Sequence, residues 1–284
     1  MTEPAPIRSV AGELAAATRQ LSSSSDTARL DAEVLLACAL KQDRSWLYAH
    51  SNDALDDQTT VAYQELIARR SLGEPVAYLT GEQEFWSLPL CVSPAVLIPR
   101  ADTELLVELA LQYQSGASQS VLELGTGTGA ISIALSIEKP QLNIVATDCS
   151  KDALLIAGKN IDRHQCSNIR LVESDWYSAL GNQQFDQLVS NPPYIADSDP
   201  HLQQGDLRAE PSIALRSGSD GMTAMKQIIG NASPYLRAGA SILLEHGHDQ
   251  AVLVQQLLQQ NGYRSIKTYK DLGENDRVTC AQHP

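Results

Sequence analysis

The 284-residue chain is long enough for one large or two modest domains with a substantial core, and its 43% hydrophobic content is ordinary for a globular protein. A formal net charge of −13, with nothing more basic than the pair Arg69-Arg70, argues against affinity built on nucleic-acid phosphates. Five scattered cysteines (Cys38, Cys91, Cys149, Cys166, Cys280) with no Cys-x-x-Cys pair suggest neither a zinc site nor a disulfide framework and fit a reducing cytoplasm.

Met1-Thr2-Glu3-Pro4 does not read as a signal peptide, and no apolar run of about 18 residues predicts a membrane span. Residues 1–75 read as a small helical bundle. Asp26 is placed to cap a helix carrying Leu30, Val34, Leu35 and Cys38 at helical spacing, and a second helix runs from about Asp57 to Arg70. Residues 76–100 read as a β-hairpin linker, with strands at Tyr78-Leu79-Thr80-Gly81 and Glu84-Phe85-Trp86 around a Gly turn.

From 101 to 284 strands and helices alternate. Asp102 is a plausible N-cap, and Glu104 suits the first turn that follows. Strands are expected at Val121–Leu124, Ile144–Thr147, Leu171–Glu173, Gln187–Val189, Ser241–Leu244, Ser265–Tyr269 and Arg277–Ala281. Helices are expected to include Ile131–Leu135, Ala153–Ile161, Met222–Ile229 and Gln250–Gln260. This alternation predicts an α/β fold, a doubly wound and mostly parallel sheet with helices on both faces.

Four strand ends carry chemistry. Gly125-Thr126-Gly127-Thr128-Gly129 opens a helix, where glycines admit close approach of a ligand and free N–H groups favour negative charge. Asp148, ending the next strand, is placed to bind both ribose hydroxyls of a nucleotide-like cofactor. The spacing is Gly-x-Gly-x-Gly, not the dinucleotide Gly-x-Gly-x-x-Gly, and Glu123 beside it suits the ammonium of S-adenosylmethionine better than a pyrophosphate. Trp176 either flanks an adenine ring, with Asp175 accepting from the adenine amino group, or is a half-buried core residue.

Asn191-Pro192-Pro193-Tyr194 follows an apolar strand. The Asn191 side-chain oxygen and the Pro192 main-chain carbonyl are suited to accept the two N–H bonds of a planar nitrogen; both prolines fix φ, and Tyr194 is placed to lie against the acceptor group. A plain Pro-Pro turn is the other reading. His246 and His248 read as a strand end, not as a metal pair, since no third ligand accompanies them. Arg100 with Asp102 and Glu104 reads as a local ion pair or a substrate contact, and Asp271 and Arg277 as a pair near a turn. Phe85 and Trp86 read as packing residues or as part of a substrate entrance.

These stretches resemble class I S-adenosylmethionine-dependent methyltransferases and, within them, the release-factor glutamine N5-methyltransferases. The resemblance rests on Gly73-Glu74-Pro75 through Thr80-Gly81, Glu84-Phe85-Trp86, Ile98 to Glu104, the Gly loop, Ser174-Asp175-Trp176, the Asn191–Tyr194 tetrad and Glu245-His246-Gly247. One departure is Ala101, where relatives often carry proline. The resemblance implies a seven-stranded Rossmann-like methyltransferase sheet. It implies that Gly125, Thr126, Gly127, Thr128, Gly129, Asp148, Trp176 and Asn191 contact S-adenosylmethionine, which leaves as S-adenosylhomocysteine, without a metal. It implies that Asn191, Pro192, Pro193 and Tyr194 hold the glutamine of the Gly-Gly-Gln loop of class-1 peptide-chain release factors, with Asn191, Pro192 and Tyr194 carrying the catalysis. Residues 1–75 would recognise the protein substrate; neither nucleic acid nor membrane is an expected partner. Two alternatives remain at this point: an N6-adenine or other amino-group nucleic-acid methyltransferase, which the missing basic face disfavours, and a non-catalytic adenosine-ligand module that binds a protein.

Overall fold

Residues 8–114 and 119–284 are described by the computed structural model. The chain divides into two units: one runs to Gly81 and takes in Gln203–Ala209, and the other holds Glu82–Leu202 and Glu210–Pro284.

The first unit is helical: α1 Val10–Leu21, α2 Ala28–Leu40, α3 Arg44–Ala49, α4 Asp57–Ser71 and α5 Val76–Thr80. Ser9, Asp43 and Asp56 cap α1, α3 and α4 by accepting from the main-chain N–H groups of Gly12, Trp46 and Thr59. Leu14, Leu21, Leu35, Leu36, Leu47, Tyr63 and Ile67 meet in one core, and the Tyr63 hydroxyl donates to the Ala32 carbonyl at 3.0 Å. Two expectations are corrected here. Thr27, not Asp26, occupies the N-cap position of α2, and it makes no side-chain cap bond. Its hydroxyl donates instead to the buried Asp31 carboxylate (2.8 Å), which also accepts from Ser25 and Arg70, both at 2.7 Å. The stretch expected as a strand at Tyr78–Thr80 belongs to α5, stopped by Gly81 at φ 76. Burial of the adjacent Ala77, Tyr78 and Leu79 overrides the β preference of Tyr and Thr.

The second unit opens with an antiparallel hairpin, β1 Glu82–Phe85 and β2 Leu88–Cys91. Its main sheet comprises β3 Ser120–Leu124, β4 Asn143–Asp148, β5 Ile169–Glu173, β6 Phe185–Ser190, β7 Leu236–Glu245, β8 Arg264–Lys270 and β9 Asp276–Gln282, in the order β5-β4-β3-β6-β7-β9-β8. Strands β5 through β7 pair in parallel, and β9 runs antiparallel to both its neighbours. Strand side chains alternate between two apolar layers. Leu122, Leu124, Leu188, Ile242 and Leu244 pack with α9 (Thr223–Asn231) and α10 (Ala251–Gln260). Val121, Val189 and Leu243 pack with α6 (Glu104–Gln112) and α7 (Ala130–Glu138), and with Phe85 and Leu90 of the hairpin. Helix α8 (Lys151–His164) joins β4 to β5. Asp102 does not cap α6; it lies in the 3-10 turn Ala101–Thr103 that precedes it.

The chain order reverses between β3 and β6, which pair with Leu124 opposite Ser190. Ligands bind at such switch points, beyond the carboxyl ends of the strands. Gly125 and Asn191 are the next residues on these two strands, so the sheet register itself brings the loop and the tetrad together.

Candidate active site

A cavity of about 340 Å³ opens at this switch point, lined by Gly125–Thr128 of the Gly loop, Asp148, Trp176 and Asn191 among others. The loop is tied to β4: the N–H groups of Gly125 and Thr126 both donate to the Thr147 carbonyl, at 2.9 and 2.8 Å. Gly127 N–H donates to Asp148 Oδ2 (2.9 Å), and Ser150 N–H donates to Oδ1 (2.9 Å). Burial raises the Asp148 carboxyl above its ordinary value, against these main-chain bonds. Gly127 has φ 55, and a Cβ added there meets nothing within 4 Å, so the glycine keeps both the turn and the space above it. At Gly129, φ 82, an added Cβ would press on Ile133 and Ala157, so this glycine serves the approach of α7 to α8.

Glu123 lies beneath the loop, 1% exposed, and lines the cavity. Its Oε2 accepts from the hydroxyls of Thr126 (2.8 Å) and Ser132, while Oε1 is buried without a hydrogen-bond partner among the described residues. Burial pushes this carboxyl up to about 7, against the Ser132 and Thr126 bonds. A buried carboxylate oxygen facing a cavity calls for a donor, and a cationic ligand group supplies one. Together with the open glycine backbone and the Asp148 carboxylate, this donor set fits S-adenosylmethionine: a ribose acceptor, a main-chain cradle and a counter-charge for an ammonium group.

On the other side, Asn191 Nδ2 donates to Thr103 Oγ1 at 3.0 Å. Behind this pair lies Glu245, 1% exposed, which does not line the cavity. Burial pushes Glu245 up to about 7; hydrogen bonding to Thr103, the Arg277 charge and hydrogen bonding to Asn191 pull the other way. Glu245 Oε2 makes no hydrogen bond among the described residues. Pro193 lines the cavity with Asn191; Pro192 is buried and Tyr194 half-buried, and neither is a lining residue. The Tyr194 carbonyl accepts from Gln250 Nε2 (2.9 Å), which fixes the end of the tetrad.

Ile213, Ala214, Arg216, Ser217 and Gly218 wall the cavity. Ile195 N–H donates to the Leu215 carbonyl and Ser217 N–H to the Ile195 carbonyl, both at 2.9 Å, so the segment carrying Ile213, Arg216 and Ser217 runs along the chain beyond the tetrad. Arg100 lines the cavity and pairs with the buried carboxylate of Glu210 (2.5 Å). This replaces the expected local pairing: Asp102 pairs with Arg277 (3.3 Å), and Glu104 accepts from Trp86 N–H (2.8 Å). Arg277 also pairs with Asp271 at 3.0 Å, as the sequence suggested. Trp176, at φ 47, packs against the core and also lines the cavity beside Asp175. Phe85 likewise is 1% exposed in the core and lines the cavity. His246 is buried; Nδ1 bonds the Gly247 carbonyl and Nε2 the Thr279 hydroxyl, both at 2.8 Å, which occupies both ring nitrogens.

Sequence reasoning did not single out Thr103 or Glu245 for a role at the site. The partial signal was Glu245 at the end of an apolar strand, a carboxylate where burial is expected.

The chain is similar to known proteins over most of its length. A model described as the PrmC N-terminal domain matches residues 14–81, and the methyltransferase small domain matches residues 100–208. The chain is 46% identical to the release factor glutamine methyltransferase of Salmonella typhimurium, over 91% of this chain and 93% of that one. It is 48% identical to the protein of the same name from Xylella fastidiosa strain 9a5c, over 90% and 94% respectively. Among solved structures, a methyltransferase from Pyrococcus furiosus superposes with a TM-score of 0.53 at 20% identity, covering 76% of this chain and 96% of that one, a likeness of fold.

Proposed function

The chain belongs to the release factor glutamine methyltransferase family, and from that premise we propose that it moves a methyl group from S-adenosylmethionine to the side-chain amide nitrogen, N5, of a release-factor glutamine. The acceptor is the glutamine of the Gly-Gly-Gln loop of class-1 peptide-chain release factors, whose flexible glycines let the side chain enter a deep pocket. Identities of 46% and 48% over nearly the whole chain favour this over a nucleic-acid acceptor or a non-catalytic module. The helical unit, which matches the PrmC N-terminal domain over 14–81, recognises the protein substrate.

An amide nitrogen is a weak nucleophile because its lone pair is delocalised into the carbonyl. S-adenosylmethionine, when bound, supplies a methyl group already activated on a sulfonium. The protein's work is therefore mainly orientation. Asp148 and the main chain of Gly125–Thr128 would hold the cofactor's nucleoside and amino-acid parts, Trp176 would flank the adenine, and the Glu123 carboxylate would supply the counter-charge for the ammonium group. Asn191 Oδ1 and the Pro192 carbonyl accept the two N–H bonds of the glutamine amide. That turns the nitrogen lone pair toward the methyl group and stabilises the positive charge that grows on nitrogen. Tyr194 ends the tetrad outside the cavity lining, with its carbonyl held by Gln250. No general base is assigned.

The observation that carries this reading is the placement of Asn191. It lies next to the Gly loop across the β3–β6 register, with Nδ2 bonded to Thr103 and Oδ1 accepting nothing from the described residues. The test is transfer of label from S-adenosylmethionine to three acceptors: a release factor, the same factor with its Gly-Gly-Gln glutamine changed to alanine, and duplex DNA. Label on the first alone is expected. Label on DNA, or equally on both release factors, would overturn the assignment.

A further inference from the structure

Asn191 has two amide orientations related by a half-turn of its side chain, and only one serves as an acceptor toward the substrate. With Nδ2 toward Thr103, Oδ1 is free to receive an N–H bond. In the reverse orientation the amide would present N–H groups to the N–H groups of the glutamine, and both would be left unsatisfied. Something must choose between the two orientations.

Thr103 alone does not choose, because a hydroxyl can donate to Oδ1 as easily as it accepts from Nδ2. The choice falls to what stands behind it. The Glu245 carboxyl faces both Thr103 and Asn191 and is sealed from solvent at the end of β7. An ionised carboxylate only accepts. With the Thr103 hydroxyl proton turned toward it, the Thr103 oxygen is left as an acceptor for Asn191 Nδ2, found 3.0 Å away, and the carboxylate, in register with Asn191 across β6 and β7, also favours the Nδ2 side of that amide directly. We propose that Thr103 and Glu245 are positioning residues that lock the Asn191 amide in the orientation with Oδ1 turned to the acceptor glutamine. This rests on the reading of Asn191 as the holder of that amide.

The arrangement has a second consequence. A protonated Glu245 becomes a donor, Thr103 is then free to donate to Asn191, and the orientation is no longer enforced. Burial pushes Glu245 up to about 7, so its ionisation falls within the neutral range. Besides Thr103 and Asn191, the groups facing it are Arg277, Asp102 and Tyr194; Arg277 favours the ionised form and Asp102 opposes it. Turnover at saturating cofactor should therefore rise with pH as Glu245 ionises.

The experiment compares Thr103→Val, Thr103→Ser, Glu245→Gln and Asn191→Ala in the full-length enzyme, with a release factor as substrate. Thr103→Val keeps the shape and removes the hydroxyl; kcat should fall by about 10- to 100-fold, the cost of a misoriented contact, with KM for S-adenosylmethionine unchanged. Thr103→Ser should recover most of the loss. Glu245→Gln should lose the rise of kcat with pH, because a neutral amide has nothing to ionise there. Loss of kcat in Thr103→Val that serine does not restore would mean a packing role and would overturn the proposal. So would wild-type turnover in Thr103→Val and Glu245→Gln beside an inactive Asn191→Ala. Wild-type turnover in Asn191→Ala would instead sink the reading of Asn191, and this inference with it.

Discussion

Two buried glutamates, Glu123 near the end of β3 and Glu245 at the end of β7, flank β6 in one sheet and look alike one at a time. Each is 1% exposed, each is pushed up to about 7 by burial, and each keeps one oxygen without a hydrogen bond among the described residues. They differ in what they face. Glu123 lines the cavity beneath the Gly loop, whereas Glu245 stands behind Thr103 and Asn191 and does not line that cavity. The first is open to completion by a ligand under the proposed function, and the second faces groups of the protein itself. Burial of a carboxylate therefore marks the site without saying which job it does; the neighbouring donors decide that.

The sharpest way to break this comparison starts on the Gly loop. Gly127→Val places a β-branched residue at φ 55, in the space left for the ligand. Cofactor affinity measured by calorimetry should fall by at least about 100-fold, ~3 kcal/mol. Next comes the pair itself. Glu123→Gln removes the counter-charge facing the cavity, and the Kd for S-adenosylmethionine should rise about tenfold, in the range of a lost charged hydrogen bond. Glu245→Gln should leave that Kd where it is. An equal loss of affinity in both would erase the distinction.

The loop and the tetrad were legible in the sequence because glycines, prolines and a strand-terminal carboxylate have local meanings. Gly125–Thr128, Asp148, Trp176 and Asn191 do gather at one cavity, whereas Gly129 lies against Ile133 and Ala157 and does not line it. The partners of Asn191 were not legible, since Thr103 and Glu245 come from separate elements that only the sheet register brings together. Arg100 shows the same limit. Its nearest acidic neighbours in sequence were Asp102 and Glu104, yet the fold pairs it with Glu210 and spends Asp102 on Arg277. Residues Val76–Thr80 failed for another reason. Five residues hold too little periodicity to separate a helical turn from a strand, and burial settled it.

The two glutamates also predict how stability changes with pH. Each folded-state carboxyl binds its proton more tightly than the ordinary value of 4.5, so each supports folding below that pH and loses its contribution as pH rises through about 7. Replacing either by glutamine removes that loss. Relative to wild type, each variant should gain on the order of 1–3 kcal/mol in denaturant unfolding between about pH 4.5 and 8. A gain that does not depend on pH would contradict the burial of an ionisable group. The smallest effect lies in the helical unit. Asp56→Ala removes the cap of α4, which accepts from Thr59 N–H at 2.8 Å, and should cost about 1 kcal/mol in the same assay. Cofactor affinity should not move.

The most direct measurement is on Asn191→Ala: affinity for S-adenosylmethionine by calorimetry and methyl transfer to a release factor in the same preparation. The predicted result is near wild-type affinity with transfer all but abolished, because the residue's task is to hold the acceptor amide. Wild-type transfer would contradict that role, and loss of affinity in step with loss of transfer would move Asn191 to the cofactor side of the site.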